Sequence, residues 1–247
     1  MGDRAGWNYD EIHEYLTEVK KGSQFLMTNS KEDILRTFIW LQTSDFIDNK
    51  TGKNTFNSDD FKRILEICNV YGTDSDDYEW DEDEKSLLKE GKLIFKYSST
   101  DMDTFIDTIS CFNNSVSFIG YPAYDKCGNY IHFSSRLGIL SGSEKKEAAW
   151  KFLKTILTDE YQKEKHGDFC PTREDSFEEM INDMDKAYVD QYRELAKSTE
   201  KVANPDEKVI EIIEEEATKY FAGDRDIDAT LKVIDDRVGT YMSEKTD

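Results

Sequence analysis

Three histidines, four cysteines and 53 carboxylates are among the groups in this sequence capable of acid–base, metal-binding or nucleophilic chemistry. His13 falls in an early helical pattern, and His132 and His166 fall in loop or helix-end positions. Neither HExxH nor HxH occurs, so each reads as a lone surface imidazole. Cys68, Cys111, Cys127 and Cys170 are scattered and form no CxxC pair, the spacing a zinc site needs. They read as small buried hydrophobes, with a Cys111–Cys127 disulfide left open. Asp224, Asp226 and Asp228 stand at alternate positions, as the first ligands of a calcium loop do. Ala229 replaces the glycine such a loop requires, and Asp235 the bidentate glutamate. With Ile227, Leu231, Ile234 and Val238 at helical spacing, the segment reads instead as an acidic first turn favoured by the helix dipole. No GxSxG, P-loop or GxGxxG is present. Carboxylate pairs are inevitable at this abundance, so they carry no glycosidase signature without geometry. The expectation is a chain with no catalytic residues, no metal ligands and no cofactor.

The aromatic residues are more informative. Trp40, Tyr97, Tyr121, Tyr124, Tyr130 and Phe133 include several in predicted turns or at strand ends. A pyranose has an apolar C–H face that stacks on such rings while polar neighbours bind its hydroxyls. Core packing is the competing role for each ring.

The chain that positions these groups has 247 residues, with 32 Lys+Arg against 53 Asp+Glu, a formal charge of −21. This charge repels phosphate backbones and anionic lipid surfaces, and no basic cluster offsets it, so nucleic acid is excluded as a partner. No apolar run reaches the roughly 18–20 residues that span a bilayer. The start, Met1-Gly2-Asp3-Arg4-Ala5-Gly6-Trp7, reads as neither signal peptide nor myristoylation site. Aromatics at 13% argue for a folded chain, and the length allows one large or two small domains.

Periodicity predicts helices over 7–20, 31–42 (with Asn29 or Ser30 as cap), 58–71, 84–90, 101–111, 144–164, 174–198, Pro205 to Phe221 with Pro205 near its first turn, and 226–242. Leu93-Ile94-Phe95 and Val116 to Gly120 read as strands, and Gly128 to Ile139 as turn, strand, loop and strand. Residues 74–84 form an acidic stretch. The balance is helix-rich α/β with few short strands.

Several motifs recur in a shared order: Gly120-Tyr121-Pro122, Gly128-Asn129, Gly138-Ile139, Ala148-Ala149-Trp150-Lys151-Phe152-Leu153 and Leu157-Thr158-Asp159-Glu160-Tyr161-Gln162. Pro171-Thr172-Arg173, the helical pair from Ile210 to Tyr241, and Gly6-Trp7-Asn8-Tyr9-Asp10-Glu11 extend the pattern over nearly the whole chain. Together they resemble the extracellular solute-binding proteins, family 1, of bacterial sugar-type ABC importers. The resemblance implies a periplasmic-binding-protein-like (type II) fold, here incomplete and lacking most of the N-terminal lobe. Residues 1–99 would be the helical part of the C-terminal lobe, 100–168 a returning segment of the N-terminal lobe with hinge crossings, and 169–247 the closing helices of the C-terminal lobe. It implies non-catalytic binding of a small polar solute, a sugar or oligosaccharide, by lobes that close on it and are read by an ABC permease. Members are extracellular and membrane-anchored, and begin with a signal peptide and a lipid-attachment cysteine that this chain does not show. The ligand-binding residues it points to are Trp40 as stacking platform, Tyr97, Ser98, Tyr121, and Ser135 with Arg136, whose guanidinium fork suits hydroxyls or a carboxylate. The alternative is a helix-rich protein-interaction module that binds a partner protein through an exposed lobe surface, or a self-associating fragment that forms a homo-oligomer without binding solute. A carboxylate-based hydrolase would need two inward carboxylates across a pocket.

Overall fold

The computed structural model describes residues 6–19, 22–27, 30–74, 84–96, 101–112, 116–133, 136–164, 170–182 and 184–246. Asn29, residues 75–83 of the acidic stretch, and His166 lie outside them. In chain order the helices are α1 (Tyr9–Glu14, running on as a π-helical turn, Tyr15–Val19), α2 (Lys31–Phe46), α3 (Asp59–Tyr71), α4 (Glu84–Lys89), α5 (Met102–Cys111), α6 (Lys146–Ile156), α7 (Asp159–Glu164), α8 (Glu174–Asn182), α9 (Lys186–Lys197), α10 (Glu207–Phe221) and α11 (Ile227–Thr246). Two strands, β1 (Tyr130–His132) and β2 (Lys201–Ala203), pair in parallel with Tyr130 opposite Lys201 and His132 opposite Ala203. No helix among the described residues is long and apolar enough to cross a membrane.

The chain divides into two compact units. Unit 1 takes Met1–Tyr97, Ile119–His132 and Thr199–Asp247; unit 2 takes Ser98–Phe118 and Phe133–Ser198. In unit 1 the apolar faces of α1, α2, α3, α10 and α11 bury Ile12, Ile34, Phe38, Phe61, Ile64, Ile210, Ile213, Ile234 and Val238 in one core. Each such side chain contributes roughly 1.5–3 kcal/mol when fully buried. Unit 2 has a smaller core of Phe105, Ile109, Met180, Ile181, Met184 and Tyr192. All four cysteines are free, so the Cys111–Cys127 bridge does not form. Cys68 is fully buried, and burial pushes its thiol far above the ordinary range.

The helix starts follow from their caps. Asn8 and Glu11 form a reciprocal capping box on α1. Ser30 accepts from the Asp33 amide at 3.0 Å on α2. Asp101 accepts from both the amide (2.8 Å) and the hydroxyl (2.9 Å) of Thr104 on α5. Replacing Asp101 with alanine is expected to cost about 1 kcal/mol, read as a lowered urea midpoint.

Five expectations need correction. The helix predicted over 144–164 is two, α6 and α7, because the Thr158 hydroxyl receives the Tyr161 amide at 3.4 Å and starts a new helix. The helix predicted over 174–198 is also two, with Asp185, a cap-type residue, immediately before α9. On α10 the cap is Asp206, and Pro205 lies one residue before it rather than in the first turn. Leu93-Ile94-Phe95 makes a single bridge from Leu93 to Gln24 and no strand. Residues 116–120 and 136–139 are irregular, and the Gly120 carbonyl is taken by the Trp7 indole at 3.1 Å.

Candidate functional site

The segment 120–132 of unit 1 is shaped by two glycines. Gly120 has φ +72°, a left-handed conformation that glycine adopts without strain. A Cβ on Gly128 would overlap the Tyr121 carbonyl, so only glycine lets the segment fold back until the Tyr121 amide reaches the Gly128 carbonyl at 2.9 Å. This turn sets Tyr121 edge-on against Phe38, ring centroids 5.7 Å apart. The Ala123 amide then bonds the Trp7 carbonyl at 3.0 Å, tying the segment to the start of α1.

Beyond the turn, β1 and β2 meet the C-terminal half of α2 in a polar cluster. Lys201 donates to Asp45 at 2.8 Å and to Asp125 at 2.9 Å, and Tyr130 donates to the same Asp45 oxygen at 2.7 Å. The Lys201 ammonium also lies 4.7 Å from the Tyr124 ring and 5.5 Å from the Tyr130 ring, within cation–π range. Beside it the Tyr9 hydroxyl donates to Gln42 at 2.9 Å, and the Gln42 amide donates to the Pro122 carbonyl at 2.7 Å. Asp45 is 8% exposed and Lys201 16%, so the pair is largely desolvated. Burial alone would lower the Lys201 pKa, but hydrogen bonds and charge from Asp45 and Asp125 outweigh it and hold the group above the ordinary lysine value. Tyr130 is pushed well above the ordinary phenol value, first by burial and then by the charge of Asp45. Tyr9 is raised chiefly by burial. These tyrosines are therefore neutral donors at physiological pH.

At the edge of this cluster Trp40 of α2, half-buried, lies against exposed His132 of β1, ring centroids 4.5 Å apart and inclined by 54°. Tyr124 is 53% exposed. The unit thus offers exposed ring surface beside a fixed array of polar groups. Such an arrangement can stack and hydrogen-bond a ligand.

Of the residues singled out in sequence, Trp40 and Tyr121 belong to unit 1, and Arg136 belongs to unit 2, its guanidinium 5.7 Å from the Phe133 ring. Tyr97, Ser98 and Ser135 lie outside the described residues. Sequence reasoning missed Asp45, Asp125, Lys201 and the pairing of His132 with Trp40. Asp45 and Lys201 are 156 residues apart, and no local pattern announces such a pair. Asp226, singled out for its calcium-like spacing, accepts from the Ala229 amide at 2.8 Å as a helix cap, and Asp228 pairs with Lys62 at 2.6 Å. Among the described residues, no three His, Cys, Asp or Glu side chains are grouped to hold a metal ion. A separate polar pocket of about 320 Å³ in unit 1 is lined by Ser44, Asn204, Asp206, Tyr241 and Lys245, among others. Its charges are mutually engaged, with Asp206 accepting from Tyr241 at 3.2 Å and Lys245 at 2.6 Å.

No curated protein matches this sequence. Solved structures do. An ABC transporter solute-binding protein from Thermotoga lettingae, bound with alpha-D-tagatose, superposes with a TM-score of 0.54 at 14% identity over 97% of this chain and 66% of its own. A periplasmic-binding protein from Synechococcus sp. MITs9220, in complex with zinc, gives 0.61 at 13% identity over 98% of this chain and 67% of its own. A cyclic alpha-maltosyl-1,6-maltose binding protein from Arthrobacter globiformis gives 0.51 at 18% identity over 97% and 65%. The chain therefore spans about two thirds of the length of these structures and shares their fold, a helix-rich form of the periplasmic sugar-binding architecture. The sequence of residues 1–190 matches the family described as bacterial extracellular solute-binding protein. The shared fold and that match over most of the length agree, and the chain belongs to the bacterial extracellular solute-binding proteins.

Proposed function

We propose that this chain serves non-catalytic capture of a small polar solute, a carbohydrate, for delivery to an ABC permease at the outer face of the membrane, to which the whole protein is anchored. The observation behind this reading is the family match over residues 1–190, supported by the tagatose and the cyclic maltosyl-maltose named for two structures of the same fold. The exposed rings beside the Lys201 cluster suit such a ligand, because a sugar offers an apolar face to an aromatic and hydroxyls to polar side chains. In this reading Trp40 is the stacking ring and Arg136 a hydrogen-bonding fork; Tyr97, Ser98, Tyr121 and Ser135 are the other ligand contacts.

The test is a thermal-shift screen of this chain against monosaccharides, malto-oligosaccharides and cyclic glucans, followed by calorimetric titration of any hit. Stabilisation by at least one sugar is expected. A panel with neither a shift nor a binding heat overturns the reading for this chain. With a sugar in hand, Trp40→Ala is expected to weaken binding about tenfold in titrations run well below the variant's melting temperature, which itself falls because the ring packs against the unit 1 core.

A further inference from the structure

The surroundings of the Lys201 ammonium have the chemistry of a cation-binding site. Two carboxylates accept from it, Asp45 of α2 at 2.8 Å and Asp125 of the 120–132 segment at 2.9 Å. Two rings, Tyr124 and Tyr130, lie 4.7 and 5.5 Å from the same nitrogen. Carboxylates that take the N–H groups, and ring faces that take the charge, are how proteins hold a free alkylammonium ion. The carboxylates alone would be an acidic pair without a purpose. The rings, and the ammonium already seated among all four groups, show what the set is shaped to receive.

None of the four residues lies on β2, the strand that delivers the lysine. They are held by other contacts. The Tyr130 hydroxyl donates to Asp45 at 2.7 Å, and Asp125 accepts from the Cys127 amide at 3.0 Å. The segment carrying Tyr124 and Asp125 is fastened to α1 by the Lys126–Glu11 ion pair at 2.7 Å. Tyr124 is exposed and forms the solvent side of the set. We propose that Asp45, Asp125, Tyr124 and Tyr130 form a binding site for a primary alkylammonium ion, which the chain fills with its own Lys201 side chain. The lysine is then a tethered ligand. A free amine does not displace it, because the tether keeps its effective concentration high. Cutting Lys201 back to alanine removes three methylenes and the ammonium, the groups that n-propylammonium carries. The two carboxylates each need an N–H, so tetramethylammonium, which has the charge without a donor, fits the site less well.

The test compares Lys201→Ala with the native protein by thermal shift at neutral pH, in n-propylammonium chloride and in sodium chloride of equal ionic strength. The melting temperature of the variant is expected to rise saturably with the amine, by about 3 °C at about five times its dissociation constant. The native protein is expected not to respond beyond the salt effect. Tetramethylammonium and n-propanol are expected to act more weakly on the variant, and adding Asp45→Asn to it is expected to remove the amine response. Should Lys201→Ala be unfolded by itself, recovery of its circular dichroism signal with the amine is the readout. A variant that responds to n-propylammonium no more than to sodium chloride overturns the proposal. So does a native protein that responds equally, an equal effect of n-propanol, or a response that survives Asp45→Asn. No sugar enters these measurements, so their outcome is independent of the ligand reading.

Discussion

Replacing Glu216 with glutamine is expected to destabilise the protein by about 3–5 kcal/mol, the range seen when one member of a buried ion cluster is removed. Glu216 lies on α10 and is 3% exposed. Its two oxygens each receive the Lys219 ammonium at 3.0 Å, and one also receives Arg225 and the other Arg237. Burial by itself would raise the carboxyl pKa. The hydrogen bonds from Arg225, Lys219 and Arg237 overcome that and bring it from 4.5 down to about 2. A folded pKa below the unfolded one means the stabilisation is complete above the unfolded value and is lost as pH falls through the folded one. At 1.36 kcal/mol per pH unit the shift corresponds to about 3 kcal/mol. Urea midpoints followed from neutral pH down to pH 2 check this. Other carboxylates titrate in the same window, so the informative quantity is the difference between the native protein and the glutamine variant. That difference should shrink towards the acid end, and a constant difference would refute the assignment.

Lys201→Met is expected to cost a similar ~3–5 kcal/mol, for a complementary reason. The change leaves Asp45, 8% exposed, beside Asp125 without the cation that joins them, and among the described residues retains the Tyr130 hydroxyl as its side-chain donor. Adding Asp45→Asn to the Lys201→Met variant should recover much of the loss, because it removes the uncompensated buried charge. A double variant as unstable as the single one would show that Lys201 acts through its packing on Tyr124 and Tyr130 rather than through charge. The sign with pH is opposite to that of Glu216. Lys201 is raised in the folded state, so its contribution is complete below the ordinary lysine value and fades as pH climbs through the raised one. Alkaline unfolding of the native protein, compared with the methionine variant, reads this directly.

The helices of unit 1 were legible because burial and period coincide there. On α3, Ser58 caps the first turn and Phe61, Ile64, Leu65 and Cys68 recur at helical spacing and are buried. The same holds for α10, where Val209, Ile210, Ile213 and Ala217 face inward. Where period and burial part, the sequence misleads. From 144 to 164 the apolar recurrence is unbroken, yet Thr158 stops it, and Thr158-Asp159-Glu160 is itself a helix-start signal that the longer pattern hid. The strands were the least legible elements. Lys201-Val202-Ala203 is three residues long and exists because Tyr130 to His132, 71 residues earlier, supplies its partner. Leu93-Ile94-Phe95 has the composition of a strand but finds only one bridge. At the candidate site, the residues flagged for their aromatic character or their turn motif could be picked out locally, as Trp40 and Tyr121 show. The ionic centre could not, because its members come from α2, the 120–128 turn and β2, and no short window contains two of them.

The division of the chain has a consequence for biosynthesis. Residues 133–198 are interposed between parts of unit 1, so the ribosome releases α2 and α3 long before α10 and α11. Until those last helices emerge, Ile34, Phe38 and Phe61 lack the Ile210, Ile213, Ile234 and Val238 side chains that share their core. Contacts this distant in sequence form slowly, and the nascent chain meanwhile displays apolar surface that invites misassembly. In the cell, holdase chaperones that bind such surfaces would meet their substrate during translation of residues 72 to 206, and would lose it once α11 closes the core.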